Sequence, residues 1–199
     1  MASQVEIVNR ALLNLGTRAQ IEAIDEGSTE AVFAQGLWDQ TLESTLAAFP
    51  WPFATAFQAL ALLTTTPPGI WDYVYRYPAN CVRGRYFVNS AGIRNVDTII
   101  PWEVGWDGAS GRVVFTDEPS AVLCYTALIT DPTVYDVHFN FVLAWALAAA
   151  LAIPLTENPR LRQEAHTIYQ DALRQGRVAM GNERGQDAPA TPTLVSARE

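Results

Sequence analysis

Lysine is absent from this sequence, and all 13 basic residues among its 199 are arginines. A lysine-containing phosphate loop and a Schiff-base catalytic centre are therefore excluded, because both need the lysine amine. Acidic residues number 21, which gives a net charge of −8, and so acidic a chain does not hold DNA by neutralising its phosphates. An acidic protein could still surround DNA without gripping it, because like charges repel.

Cysteine and histidine are also scarce. Cys81 and Cys124 are too few for a disulfide framework in a chain of this size, and no zinc-ligand spacing accompanies them or the two histidines, His138 and His166. No GxSxG nucleophile motif occurs. We therefore predict no catalytic residue, metal or cofactor, and interpret Cys81 as a small buried side chain. An alternative from another functional class is an unrecognised hydrolase that uses Cys81 or the acidic loop at Asp25-Glu26.

The N-terminus lacks the basic and apolar segments of a signal peptide, so we expect synthesis in the cytoplasm. Ser3 and Glu6 instead have the spacing of a capping box, and Gly16 stands where a left-handed C-terminal cap belongs. The residues between Ser3 and Gly16 therefore predict a short helix with one buried face.

Two more helices have clear start signals. One is predicted from its N-cap Ser28 to about Phe49, where the next two prolines end it. The other starts at Asn158-Pro159, with asparagine as cap and proline at the first helical position. Its predicted buried face comprises Leu161, Ala165, Ile168, Tyr169, Ala172 and Ala179.

The most apolar stretch is Phe139 to Ile153, which has no polar side chain from Phe141 onward, and Pro154 is expected to end the helix that it forms. A helix that is apolar on every face needs cover on every face, so we predict that it lies at the centre of a bundle. A membrane span is the alternative. It requires about 20 apolar residues, and the run from Phe141 to Leu155 is shorter, so no membrane association is expected.

Residues 54–131 are rich in β-branched and aromatic side chains and punctuated by proline and glycine, which predicts one small antiparallel sheet. Trp102 and Trp106 flank a predicted hairpin turn that ends at Gly111. They are candidates for an interface on this β-module, and a place in its local core remains the alternative. The predicted strands are Phe57–Leu63, Asp72–Tyr77, Val82–Val88, Thr98–Val104, Arg112–Thr116 and Ala121–Thr130.

The predicted fold class is therefore α+β. A bundle of four helices, formed by residues 1–53 and 132–180, carries the inserted β-module of residues 54–131. The remaining residues, 181–199, contain two prolines and one apolar pair, Leu194-Val195, and predict an extended flexible tail.

Several segments, taken in order, resemble the head-to-tail adaptor family of tailed phages, most closely the tail tubular protein A type of short-tailed virions. The resemblance covers nearly all of Val5 to Met180. The segments are VNRALLNLG, IEAIDEGSTEA, FPWPFA, YRYPANCVR and CYTALITDPTVYDVHFNFVLAWALAAALAIPLT, followed by the spaced Tyr169 and Leu173 of the last helix.

This resemblance implies a structural protein of the virion neck or tail and not an enzyme. Family members form a ring, expected to be a dodecamer, between the portal protein and the tail nozzle protein, and the ring extends the DNA channel. The implied partners are therefore the portal, the nozzle and other copies of the chain. The C-terminal segment typically reaches the portal, which makes Leu194 and Val195 candidate docking residues. A connector of a long-tailed phage or a gene-transfer particle is the related alternative.

Overall fold

A computed structural model describes residues 2–88, 100–108 and 111–183, with side chains as far as Met180. Four α-helices and two antiparallel three-stranded sheets occur within these residues, which confirms the predicted α+β class. The helices are α1 (Gln4–Asn14), α2 (Thr29–Ala48), α3 (Val137–Thr156) and α4 (Pro159–Glu183), and the strands are β1 (Thr55–Ala59), β2 (Tyr73–Arg76), β3 (Cys81–Val88), β4 (Trp102–Trp106), β5 (Arg112–Thr116) and β6 (Val122–Ala127).

The predicted helix starts are confirmed by their hydrogen bonds. The Ser3 hydroxyl accepts from the Glu6 N–H at 3.1 Å while the Glu6 carboxylate accepts from the Ser3 N–H at 2.9 Å, so both halves of the capping box form. Ser28 accepts from the N–H of Ala31 at the start of α2, and Asn158 caps α4. Each cap satisfies a backbone N–H that has no partner within its own helix.

The central helix ends later than predicted. Pro154 lies inside α3, which continues to Thr156 and terminates at Glu157, in the left-handed conformation with φ of 52°. The N–H of Glu157 then donates to the carbonyl of Ile153 at 2.9 Å. A proline so close to the end removes a single hydrogen bond of the helix, so the last turn survives.

Helix α3 is the centre of the bundle and packs against α1, α2 and α4. Its buried residues include Leu143, Leu147 and Leu151, each with no exposed surface. The expectation of cover on every face was wrong, because Phe141 is 42% exposed and Ile153 is 38% exposed. Three neighbouring helices leave part of the circumference of α3 open.

Helix α3 would also be long and apolar enough to cross a membrane, although only half of its most apolar window is buried. Helices at the cores of soluble proteins commonly meet the same criterion. The contacts of α3 with three other helices are those of a bundle core.

Two details of α4 differ from the prediction. Ile168 is 39% exposed, and Leu173 and Met180 are buried instead. The helix also extends to Glu183, so the first three residues of the predicted tail are helical. Residues 184–199 lie outside the described residues.

The connection after α2 is built around Trp51, which is fully buried between two prolines. Its indole N–H donates to the Thr45 carbonyl at 2.9 Å, and its ring meets that of Phe139 edge-on at 4.9 Å. Phe53 packs on Phe139 at the same distance. The proline-rich break therefore anchors the chain to α3 where it leaves the bundle.

The β-module contains two sheets where one was predicted, with strand orders β1-β6-β3 and β2-β5-β4. The alternation of apolar and polar residues along a strand does not specify which strands pair, because pairing depends on contacts between residues distant in sequence. Buried side chains from both sheets, among them Tyr75, Val114, Leu123 and Tyr125, form one shared core. Strand β1 starts two residues before its predicted start, and the predicted strand Thr98–Val104 lies partly outside the described residues.

Candidate functional site

Trp102 lies at the start of β4 and is half-buried. Its ring meets that of Phe87 edge-on, with centroids 5.8 Å apart, and so bridges the two sheets. A side chain at Gly84 would clash with it, because an added Cβ would lie 2.7 Å from Cη2 of Trp102. Trp102 therefore contributes to the core of the β-module.

Trp106, at the other end of β4, is 71% exposed. It pairs with Arg112 across the hairpin, and Gly108 and Gly111 adopt positive φ values in the turn. An exposed tryptophan costs solubility and favours contact with a partner. The structure thus separates the two tryptophans that sequence placed together, and only Trp106 presents most of its side chain to solvent.

Other large apolar side chains are exposed on separate elements. On the bundle they include Val137 and Phe141 of α3 and Val178 of α4; on the β-module they include Phe57 and Ile70. Scattered exposed apolar residues are normal in folded proteins, so none of these side chains marks an interface by itself. The other two candidates, Leu194 and Val195, lie outside the described residues.

The bundle and the β-module are joined by an arginine clamp at the C-terminal end of α2. Arg85 donates to the carbonyls of Leu46 and Ala47, at 3.3 and 3.1 Å, and Arg83 donates to Ala47 at 3.2 Å. From α4, Arg177 donates to the carbonyl of Ala48 at 3.1 Å. We call Arg83, Arg85 and Arg177 the arginine clamp.

The clamp is electrostatically favourable because the C-terminal end of a helix carries partial negative charge. Arg85 reaches it from a β-bulge, since the pairing of β3 with β6 skips a residue between Gly84 and Tyr86. A bulge commonly redirects a side chain. The Arg85 guanidinium also donates to the Thr126 hydroxyl at 2.8 Å, which fixes its orientation.

Sequence reasoning missed the clamp, although one signal was present. Arg83 and Arg85 are two residues apart on a predicted strand, which places both side chains on one face. The acceptors are backbone carbonyls, which no residue type reveals.

Cys81 is buried, as predicted, and so is Cys124. Burial is the main cause that raises the pKa of the Cys81 thiol, so the thiol stays protonated at neutral pH. A hydrogen bond joins it to Tyr77, and Arg112 stacks on the ring of that tyrosine at 4.1 Å. A nucleophilic cysteine needs the opposite shift, towards the thiolate.

The acidic loop has a structural role around Glu26. Its carboxylate accepts hydrogen bonds from the N–H groups of Glu22 and Ala23 and from the Ser28 hydroxyl. The Ser28 bond contributes most to a lowered pKa of Glu26. Within the described residues no group of three or more potential metal ligands comes together, and His138 and His166 are both exposed.

In comparisons with known proteins, no family model and no curated protein sequence matches this chain. A function must therefore be proposed from the chain's own residues and geometry.

Proposed function

We propose that this chain is a structural virion protein, a head-to-tail adaptor that forms a ring between the portal and the tail nozzle of a tailed phage. The ring extends the DNA channel, and DNA passes without sequence-specific binding. The ring is expected to contain twelve subunits. The chain is made in the cytoplasm of the host cell and functions in the neck of the virion.

The observation that supports this most is where the β-module interrupts the helices. A helical bundle interrupted once, between α2 and α3, is the arrangement that the ordered sequence segments imply for the adaptor family. The segments FPWPFA and CYTALITDPTVYDVHFN span the two junctions. At the first junction Trp51 is buried against Phe139, so these segments have a structural reason to be kept together.

The surface is compatible with ring assembly. A cyclic ring uses heterologous contacts, in which one patch of a subunit meets a different patch of its neighbour. Exposed apolar side chains occur on several elements, including Phe141 on α3, Val178 on α4 and Trp106 on β4. The arginine clamp holds the β-module to the bundle, as a subunit needs if contacts on both parts are to keep one geometry.

The test is electron microscopy of the purified portal protein mixed with the full-length chain. We expect ring-shaped density at the outer end of the portal. Absence of association under conditions in which the portal stays intact would show the proposal to be wrong. Monomeric behaviour of the free chain is compatible with it, because ring contacts can form on the portal.

Two surface variants refine this test. Trp106→Ala and Phe141→Ser remove exposed apolar side chains and are expected to leave the circular dichroism spectrum unchanged, because neither residue is buried. If either residue lies at a contact between ring subunits, the corresponding variant forms incomplete rings. Arg160→Gln is a matched control, because Arg160 is a highly exposed polar residue paired only with Glu164.

A further inference from the structure

A cleft of about 530 Å³ is lined by residues from strands of both sheets, and its lining is rich in hydrogen-bond donors. Two arginines contribute to it, Arg76 at the end of β2 and Arg112 at the start of β5, together with Gln58 of β1. Ala61 and Pro78 supply apolar wall. We call this the arginine cleft.

Neither arginine of the cleft has a carboxylate partner within the described part of the chain. The ion pairs found there, Arg160–Glu164 and Arg174–Asp171, are both on α4. Arg112 lies over the ring of Tyr77, with its guanidinium carbon 4.1 Å from the ring centroid. That contact uses the face of the guanidinium and leaves the N–H groups at its edge available to an acceptor.

The other polar side chains that line the cleft carry no charge. The hydroxyl of the buried Tyr125 side chain lies 3.2 Å from Oε1 of Gln58 and 3.1 Å from Oδ1 of Asn80, so its one proton is shared between the two amide oxygens. Burial raises the pKa of Tyr77 to about 12 and also raises that of Cys81, so neither becomes an anion at neutral pH. The lining therefore carries two positive charges and no negative one.

We propose that the arginine cleft binds carboxylate groups of an acidic protein segment. Planar guanidinium groups match the two oxygens of a carboxylate, and such charge-assisted pairs are stronger than neutral hydrogen bonds. Donors that lack an acceptor within the chain have to find one in solvent or in a partner. The volume is within the range of ligand sites, about 300–1,000 Å³, and suits one or two side chains with the backbone between them.

Nucleic acid is the less favoured ligand. A chain of net charge −8 repels a strand that carries one charge per phosphate. A short acidic segment carries few charges, so the local field of two arginines outweighs this repulsion. The cleft would bind such a segment whether or not the chain forms a ring.

The experiment measures binding of the peptide Ac-Glu-Glu-Glu-NH2 to the full chain by isothermal titration calorimetry or by NMR. Ac-Gln-Gln-Gln-NH2 is the uncharged comparison peptide. We expect the glutamate peptide to bind and the glutamine peptide not to bind. Arg112→Gln and Arg76→Gln should each weaken binding at least about tenfold, as expected when a charged hydrogen-bond partner is lost. Arg160→Gln should bind like the unmodified chain.

Thermal unfolding of each variant verifies that it is folded before titration. Equal binding of the two peptides, or unchanged binding by the Arg76→Gln, Arg112→Gln double variant, would overturn the proposal. Inorganic phosphate and a thymidine hexanucleotide are titrated in parallel. Tighter binding of either one at the same arginines would make phosphate the ligand and overturn the assignment to carboxylate.

Discussion

Arg177 of α4 donates a hydrogen bond from Nη2 to the carbonyl oxygen of Ala48, the last residue of α2, at 3.1 Å. The two residues are 129 positions apart in sequence, and the β-module occupies most of the interval. Arg83 and Arg85 reach the same helix end from β3. One helix terminus is thus the point at which α2, α4 and the inserted module meet.

The arginine clamp predicts a graded loss of stability. Arg85 is half-buried and makes three hydrogen bonds, two of them to α2 carbonyls. We expect Arg85→Gln to lower the free energy of unfolding by about 1–3 kcal/mol, because it leaves helix carbonyls without a donor. Arg83→Gln and Arg177→Gln should each cost less, since those side chains are exposed and make one such bond.

Urea denaturation followed by circular dichroism measures this difference. Arg174→Gln is the matched control, because Arg174 is an exposed arginine on α4 whose partner is Asp171 and not the helix end. Exposed ion pairs contribute little. If Arg85→Gln unfolds at the same urea concentration as Arg174→Gln, the clamp does not stabilise the fold.

The contact between Gly84 and Trp102 gives a second prediction. A methyl group at Gly84 would lie 2.7 Å from the indole, so Gly84→Ala forces Trp102 to move. Overpacking of this kind costs about 1–3 kcal/mol. We also expect a red shift of the tryptophan fluorescence, because a displaced Trp102 would lose contact with Phe87 and gain contact with water.

Gly36 provides the opposite case for comparison. It lies within α2, and nothing would contact a Cβ added there. Gly36→Ala should raise the free energy of unfolding by about 0.5–1 kcal/mol, because glycine disfavours a helix relative to alanine. A Gly84→Ala variant that is stabilised to a similar extent would contradict the packing of Trp102 across the sheets.

Prediction from sequence succeeded where the signals are local. Ser3, Ser28 and Asn158 cap helices because each hydroxyl or amide needs only the next few N–H groups. The two-sheet arrangement was missed, and sequence left open whether Trp102 lies in the local core or at an interface, since both depend on partners distant in the chain. The burial of α3 was overestimated for the same reason. The apolar composition of a helix indicates that neighbouring elements should cover it, but the number of helices that pack around it decides how much of Phe141 is buried.

The arginine cleft was missed for a different reason. Arg76 and Arg112 are 36 positions apart in sequence and are brought close by the pairing of β2 with β5. Nothing near either arginine in sequence marks it as a binding residue. Only the fold shows that they line one cleft without a carboxylate.

The raised pKa values in the β-module predict loss of stability at alkaline pH. Burial raises the pKa of Tyr77 to about 12 and raises that of Cys81 above its ordinary value. Below the unfolded-state pKa values both the folded and the unfolded chain hold these protons, so the two groups make no contribution to the pH dependence of the free energy of unfolding. As pH rises above about 8.5 for the thiol and about 10 for the phenol, the unfolded chain loses its protons first, and unfolding is favoured.

The measurement is the free energy of unfolding between pH 7 and 11 for the unmodified chain and for the double variant Tyr77→Phe, Cys81→Ala. Each group contributes up to about 1.4 kcal/mol per pH unit, so the double variant should lose stability less steeply above pH 8.5. Its slope at lower pH should match that of the unmodified chain. Equal slopes throughout would show that the two side chains titrate in the folded chain as they do in the unfolded one.

The last prediction separates the fold from portal binding, and it rests on the proposed adaptor function. A chain that ends at Glu183 keeps all of α4 as described, including Met180, the last residue whose burial is described. We therefore expect its circular dichroism spectrum and melting temperature to be unchanged. Its binding to the portal should be at least about tenfold weaker, because an extended segment can bury its apolar residues on a partner surface.

The full-length variant Leu194→Ser, Val195→Ser is the matched comparison. It keeps the length and charge of the segment after Glu183 and removes only its apolar pair. If its affinity for the portal falls as far as that of the truncated chain, docking is assigned to Leu194 and Val195. A smaller fall in affinity would show that other residues after Glu183 also contribute. Portal binding that survives the truncation in full would place the docking surface on the bundle or the β-module, where exposed Trp106 and Phe141 are the first residues to replace.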